Sequence, residues 1–79
     1  MFIESADSPD FRTIVNLNTG TGLQLIRSHT DSHGYYIWRV EAIGGGGTVR
    51  LKEAYKEVAE KLYIRLKDEW VGDNNITVV

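Results

Sequence analysis

The sequence contains no cysteine, a single proline and no long run of apolar residues. Without cysteine the chain can form neither a disulfide framework nor a thiol nucleophile, and His29 and His33 alone cannot complete a closed structural zinc site. The apolar runs fall far short of the ~20 residues of a transmembrane helix, and the first residues lack the basic and apolar segments of a secretory signal. We therefore expect a cytoplasmic protein without a metal, a cofactor or a membrane contact.

The chain is also short. Its 79 residues allow only one core, because a domain of this size buries only about 60% of the surface that the unfolded chain exposes. Such a core supplies only a few kcal/mol, so packing between two copies would add stability, which raises the expectation of a homodimer. The formal net charge of -2 offers no chain-wide attraction to nucleic acid, and 25% charged residues are typical of a globular domain.

Period-two alternation and turn residues predict a β-meander in residues 11–51. Residues 1–10 are predicted to be an N-terminal segment and loop, because small polar residues and Pro9 dominate their second half. Three strands are then predicted over residues 11–17, 22–28 and 35–43, with polar or glycine-containing turns between them. The glycines at 44–47 are expected to turn the chain into a short fourth strand over residues 48–51, with Val49 and Leu51 facing inward.

The third strand indicates which side of the sheet is buried. Tyr36, Trp38, Val40 and Ala42 share one wholly apolar face, so we assign that face to the core. The alternating residues point to the other side of the sheet, and they are Tyr35, Ile37, Arg39, Glu41 and Ile43. The prediction therefore requires Trp38 beneath the helix and Ile37 on the opposite side of the sheet.

From residue 52 the apolar spacing changes to three or four residues, which predicts one amphipathic helix over residues 52–71. Its apolar positions are Ala54, Tyr55, Val58, Ala59, Leu62, Leu66 and Trp70. Gly72 is expected to end the helix, and residues 72–79 form either a frayed tail or an added edge strand. The sequence thus predicts a single α+β domain, an antiparallel β-meander of about four strands packed by one long C-terminal α-helix.

Large apolar residues occur on surfaces that this fold leaves open. On the sheet these residues are Ile26, Tyr35, Ile37 and Ile43, and Ile64 lies among charged residues of the helix. Scattered apolar surface residues are common, and that interpretation is preferred for Ile64 alone. The group on the sheet favours an interface, most simply an isologous dimer through this face or through an edge strand.

The glycine run suggests a second kind of site. The main-chain N–H groups of Gly45, Gly46, Gly47 and Thr48 could converge on an anion, with Arg39 and Arg50 supplying positive charge. The run lacks the lysine of the Walker pattern and the spaced glycines of the dinucleotide pattern. A flexible hairpin turn is therefore the simpler interpretation.

A third group of residues, His29, Asp31 and His33, offers two imidazoles and a carboxylate within one predicted turn. Such a set could bind a transition metal. The same residue types are common as plain polar turn residues, and their spacing does not show that the side chains converge. We therefore predict a turn and no metal site.

Together these patterns favour a binding protein over an enzyme. Most serines lie in predicted loops beside no recognisable nucleophile motif, and the carboxylate pairs of the helix lie on its solvated face. The leading hypothesis is a small, homodimeric, non-enzymatic binding module that presents a surface to a protein partner, as an accessory or inhibitor protein would. The alternative is a protein that sequesters or senses a small anionic ligand, such as a nucleotide, at the glycine run. Size and acidity would also suit a phage-encoded protein of this kind. Nucleic acid is not expected, because the helix interleaves basic and acidic residues.

Overall fold

The computed structural model describes the backbone of all 79 residues and every side chain except that of Asp7. The described residues form a six-stranded sheet with one helix packed on it. In chain order the elements are β1 (Phe2–Ser8), β2 (Phe11–Asn16), β3 (Thr21–Thr30), β4 (Tyr36–Gly44), β5 (Gly47–Tyr55), α1 (Lys56–Val71) and β6 (Ile76–Val78). The α+β class and the C-terminal helix are confirmed, and the sheet is larger than the predicted four strands.

The strand order in the sheet is β5-β4-β3-β2-β1-β6. The first five strands follow one another in antiparallel pairs, which is the predicted meander extended by β1. The tail forms an edge strand: β6 pairs with β1 in parallel, with Phe2 opposite Ile76 and Glu4 opposite Val78. The sheet is therefore mixed, because a helical crossover returns the chain to the far edge in the direction of β1.

Helix α1 is long enough to reach across the sheet. Its 16 residues measure about 24 Å at 1.5 Å each, and six strands about 4.8 Å apart have a similar width. It ends as predicted at Gly72, whose N–H donates to the Asp68 carbonyl at 3.0 Å. It begins later than predicted, because residues 52–55 continue β5 and pair with β4 as far as Tyr55 opposite Ile37. Pairing with a neighbouring strand outweighs the helical periodicity of these four residues.

The core lies between α1 and the sheet face that carries Trp38 and Val40. Both residues are buried, as the alternation in β4 predicts, and they belong to one cluster with Ala59 and Tyr63 of the helix. The other buried members of the cluster are Phe2, Ile14, Leu23, Leu25 and Val71. The predicted inside of the sheet is therefore confirmed at its centre.

Three residues of the sheet that were predicted to face inward are exposed, and so is Val58 of the predicted apolar face of the helix. Tyr36 stands at the start of β4, at one end of the sheet. Val49 is paired with Ala42 and so points to the helix side, but β5 is an edge strand and the helix leaves this part of it uncovered. Leu51 lies at an irregularity in the register of β4 with β5. Position at the border of the sheet, which periodicity does not report, decides the exposure of all three.

A buried ionic cluster joins β1 to α1. The Glu4 carboxylate, 6% exposed, accepts a hydrogen bond from the Tyr63 hydroxyl at 2.9 Å and lies 3.3 Å from both Lys67 Nζ and Arg12 Nε. Burial and the bond to Glu4 raise the pKa of Tyr63, so its hydroxyl stays protonated as a donor. The segment that was predicted as a loop is thus mostly a strand, held by charge-assisted contacts, and its turn is confined to Pro9 and its neighbour.

Candidate functional site

An aromatic cavity opens where three strand ends meet the start of α1. Antiparallel pairing places the start of β4 beside the end of β3 and the end of β5, and α1 follows β5 directly. The cavity has a volume of about 520 Å³, within the range of roughly 300–1,000 Å³ that is usual for ligand sites. Its lining residues are Pro9, Asp10, Arg27, Tyr35, Tyr36, Trp38, Tyr55, Lys56 and Glu57. We call this site the aromatic corner.

Aromatic side chains are concentrated at the aromatic corner. Of the four tyrosines and two tryptophans in the chain, three tyrosines and one tryptophan line it. Tyr35, Tyr36 and Tyr55 are 65%, 50% and 53% exposed, whereas Trp38 is buried. The rings of Tyr35 and Tyr55 meet edge to face, with their centroids 6.2 Å apart. Membership of the core accounts for Trp38, but it does not account for three exposed rings in one place.

One carboxylate holds the loop that carries Tyr35. Asp31 Oδ1 accepts hydrogen bonds from the backbone N–H groups of His33 at 2.9 Å and of Tyr35 at 3.0 Å. Asp31 Oδ2 accepts a third from the Tyr55 hydroxyl at 2.8 Å. The hydrogen bond from Tyr55 lowers the pKa of Asp31, and the same bond raises the pKa of Tyr55. The two exposed rings are therefore positioned by the fold itself, which reduces the entropy lost when a ligand binds.

Two cations lie over aromatic faces of the corner. The Arg27 guanidinium is 4.1 Å from the centroid of the Tyr36 ring and 3.0 Å from the Asp10 carboxylate. The Lys56 ammonium is 5.3 Å from the centroid of the Trp38 ring. Asp10 and Glu57 also line the corner. The lining therefore carries two positive and two negative side chains and has no net charge. Their long side chains give the aromatic surface a polar rim.

The sequence patterns place Tyr36 and Trp38 in the core and Tyr55 in the helix, so they do not reveal this site. A signal is present in Tyr35-Tyr36 and in Tyr55-Lys56, where aromatic residues stand beside a loop or a cation. Only the pairing of β4 with β5 brings the two segments together, and that pairing is not visible in either segment alone.

The glycine run forms a tight hairpin turn between β4 and β5. Gly44 pairs with Gly47, and Ile43 pairs with Thr48. Gly46 has a φ of 121°, which side-chain-bearing residues rarely adopt and glycine adopts readily. Gly45, Gly46, Gly47 and Thr48 are all exposed.

The structure separates Arg39 from the glycine turn. Arg39 lies five residues before Gly44 on β4, which is about 17 Å at ~3.3 Å per residue. Its guanidinium is 3.2 Å from the Glu41 carboxylate and 3.5 Å from that of Glu53. Arg50 lies nearer to the turn, and its guanidinium is 3.4 Å from Glu53. Both predicted cations are therefore engaged by carboxylates on the sheet.

The sheet face opposite α1, which we call the outer face, carries three of the predicted interface residues. Ile26, Ile37 and Ile43 alternate with the core residues of their strands and are half-buried. Tyr35 lines the aromatic corner, where its ring meets that of Tyr55 opposite Ile37, and Ile64 is exposed on the helix, on the other side of the sheet. The structure thus brings three of the five residues onto one face, and dimerisation through that face stays a prediction.

Both edges of the sheet carry features that oppose pairing with a second sheet. Strand β6 has only three residues, and β5 has Lys52 near its centre beside the irregularity at Leu51. Short, bulged and lysine-bearing edges are the usual protection against edge-to-edge association. These features oppose the dimer through an edge strand that the sequence left as one possibility.

The side chains of the two histidines do not converge on one site. His29 is near the end of β3 and its ring contacts Ser28, whereas His33 contacts Ser32 in the following loop. The carboxylate of Asp31 between them is occupied by the hydrogen bonds described above. Among the described residues, no three side chains of His, Cys, Asp or Glu come together as a metal-binding group.

Comparison of this chain with protein-family models, with curated proteins and with solved structures gives no match. In the part of the chain that the structure describes, no helix combines the length and the apolar character that crossing a bilayer requires. A function must therefore be argued from the site itself.

Proposed function

We propose that this protein is a small non-enzymatic binding module whose aromatic corner contacts a protein partner. The observation that carries the proposal is the group of three exposed tyrosines, Tyr35, Tyr36 and Tyr55, around the buried Trp38. Exposed rings in water contribute nothing to the core of this chain, so their concentration at one place points to a binding surface.

The chemistry of the corner matches that of protein interfaces. Tyr, Trp and Arg are the residue types that most often dominate binding energy, because they bury large areas and still offer polar groups. Arg27 stacks on Tyr36 and is paired with Asp10, so a partner meets an ordered surface with a polar rim.

Binding is proposed rather than catalysis because the ionisable groups of the corner are engaged with one another. Asp31 accepts three hydrogen bonds, and Arg27 is paired with Asp10. A general base needs a free proton-accepting position within reach of its substrate. These carboxylates instead hold the aromatic rings in place.

The proposal is tested by selecting peptides from a random library on the wild-type protein and measuring their affinity by calorimetry. We expect selected peptides to bind the Tyr35→Ala variant at least about 30-fold more weakly, the effect of losing a residue worth about 2 kcal/mol. Ile64→Ala, which truncates an exposed residue on the helix, is the matched control and should leave affinity unchanged. Selected peptides whose affinity does not depend on Tyr35 or Tyr55 would contradict the proposal.

A second candidate function is the binding of a flat anionic molecule such as a nucleotide. It is favoured by the two cations, Arg27 and Lys56, that lie against aromatic rings of a cavity of about 520 Å³. A nucleotide at 100 times its dissociation constant adds about 2.7 kcal/mol to stability, which thermal unfolding detects easily. If the nucleotide no longer raises the unfolding temperature of Lys56→Ala, it binds at the aromatic corner. If it no longer raises that of Arg50→Ala, it binds at the glycine turn. An unfolding temperature that no nucleotide raises would exclude this candidate function.

A further inference from the structure

The aromatic corner is one part of a longer groove. A second hollow of about 260 Å³ lies between Tyr35 and Tyr55 and so shares both residues with the corner. A third hollow of about 210 Å³ shares Pro9, Trp38 and Lys56 with the corner on its other side. The second and third hollows have no lining residue in common. The three therefore form a row rather than one compact pocket.

The lining of the groove is mostly apolar, and its charged side chains balance at three of each sign. Tyr35 and Tyr55 line one end, and Trp38 lies between them and the other end. The charged side chains that accompany these rings are of both signs, and they include Lys56 paired with an aromatic face. A compact polyanion would find neither a net positive field nor an enclosed pocket here. An extended, uncharged chain with apolar faces fits both the shape and the charge.

A polyproline II segment has these properties. It is extended, it has no internal hydrogen bonds, and its carbonyl groups can accept hydrogen bonds from the Tyr35 or Tyr36 hydroxyl or from the Lys56 ammonium. Its proline rings pack on aromatic side chains, and little chain entropy is lost because the conformation is already formed.

We propose that the groove binds an extended, proline-rich segment of a partner protein, an inference that rests on the proposed function and names the class of its partner. One turn of the segment packs on the surface that the touching rings of Tyr35 and Tyr55 form together, and Trp38 forms the floor of the groove. Asp31 acts as a positioning residue, because it fixes both tyrosines without lining the groove.

The experiment uses the fluorescence of Trp38. Trp70→Phe leaves Trp38 as the sole tryptophan and retains a ring against Phe2, which Trp70 meets edge to face at 5.0 Å. This protein is titrated with an oligoproline of about ten residues, with a glycine-serine peptide of equal length, with an alternating Thr-Val peptide and with ATP. We expect the fluorescence of Trp38 to change and to saturate with the oligoproline alone. The affinity for the oligoproline should fall at least about tenfold in Tyr35→Ala and stay unchanged in Ile64→Ala.

The outcomes separate this inference from the proposed function. If the Thr-Val peptide saturates the fluorescence change and Tyr35→Ala does not weaken its binding, the peptide binds as an added strand at an edge of the sheet. That result would overturn the inference. Saturation by ATP and not by oligoproline would overturn both statements in favour of the second candidate. No response to oligoproline, together with library peptides that depend on Tyr35 but contain no proline, would overturn the inference and leave the protein-binding function standing.

Discussion

Replacing Tyr63 by phenylalanine removes one hydroxyl from the buried ionic cluster and leaves the ring in place. The hydroxyl donates to Glu4 at 2.9 Å, and both residues are buried. A hydrogen bond to a charged group contributes about 1.5–3 kcal/mol. Because Lys67 and Arg12 both remain 3.3 Å from the carboxylate, we expect a loss near the lower end, about 1.5–2 kcal/mol.

A loss of this size is a substantial fraction of the stability of the chain. At roughly 0.05–0.15 kcal/mol per residue, a chain of 79 residues has a free energy of unfolding of about 4–12 kcal/mol. The expected change lowers the Tm by about 6–16 °C for a domain of this length. Urea unfolding followed by circular dichroism at neutral pH should show a lower midpoint with an unchanged slope.

Tyr36→Phe is the matched control, because it removes the same hydroxyl from a half-exposed ring and should change stability by less than about 0.5 kcal/mol. Glu4→Gln tests the charge itself. It leaves Lys67, whose side chain is only 11% exposed, without its counter-charge, and the expected loss is about 3–5 kcal/mol. If Tyr63→Phe proves no more destabilising than Tyr36→Phe, the cluster does not hold β1 to the helix and the reasoning is wrong.

Three further predictions concern other parts of the molecule. If the outer face dimerises, Ile37→Glu should convert a dimer into a monomer in light scattering, and a wild-type monomer at high concentration would exclude this dimer. Gly22→Ala should destabilise by about 1–3 kcal/mol in urea, because an added Cβ would lie 2.8 Å from the Ile14 carbonyl oxygen; unchanged stability would show that the strands can separate without cost. The lowered pKa of Asp31 means that its contribution to stability is complete above the ordinary aspartate pKa and is lost as the pH falls through the lowered value. The amide resonance of Tyr35 should therefore move in this acid range, and Asp31→Asn should abolish the movement; a titration that survives the substitution would assign it to another group.

The features that the sequence determines by itself are local and periodic. Alternation in β4 places Trp38 and Val40 inside, because successive side chains of a strand point to opposite faces. The glycines between β4 and β5 form the expected turn, and Gly72 ends the helix. Each of these outcomes depends on a few neighbouring residues, so the sequence alone is sufficient to predict them.

The features that only the tertiary structure decides depend on contacts between distant segments. β1 becomes a strand because β2 and β6 pair with it, and Glu4 joins it to Tyr63 and Lys67, which lie far along the chain. Residues 52–55 stay extended because β4 supplies their hydrogen-bonding partners. The aromatic corner exists because that same pairing carries Tyr55 to Tyr35, and periodicity within one segment holds no information on which segments become neighbours.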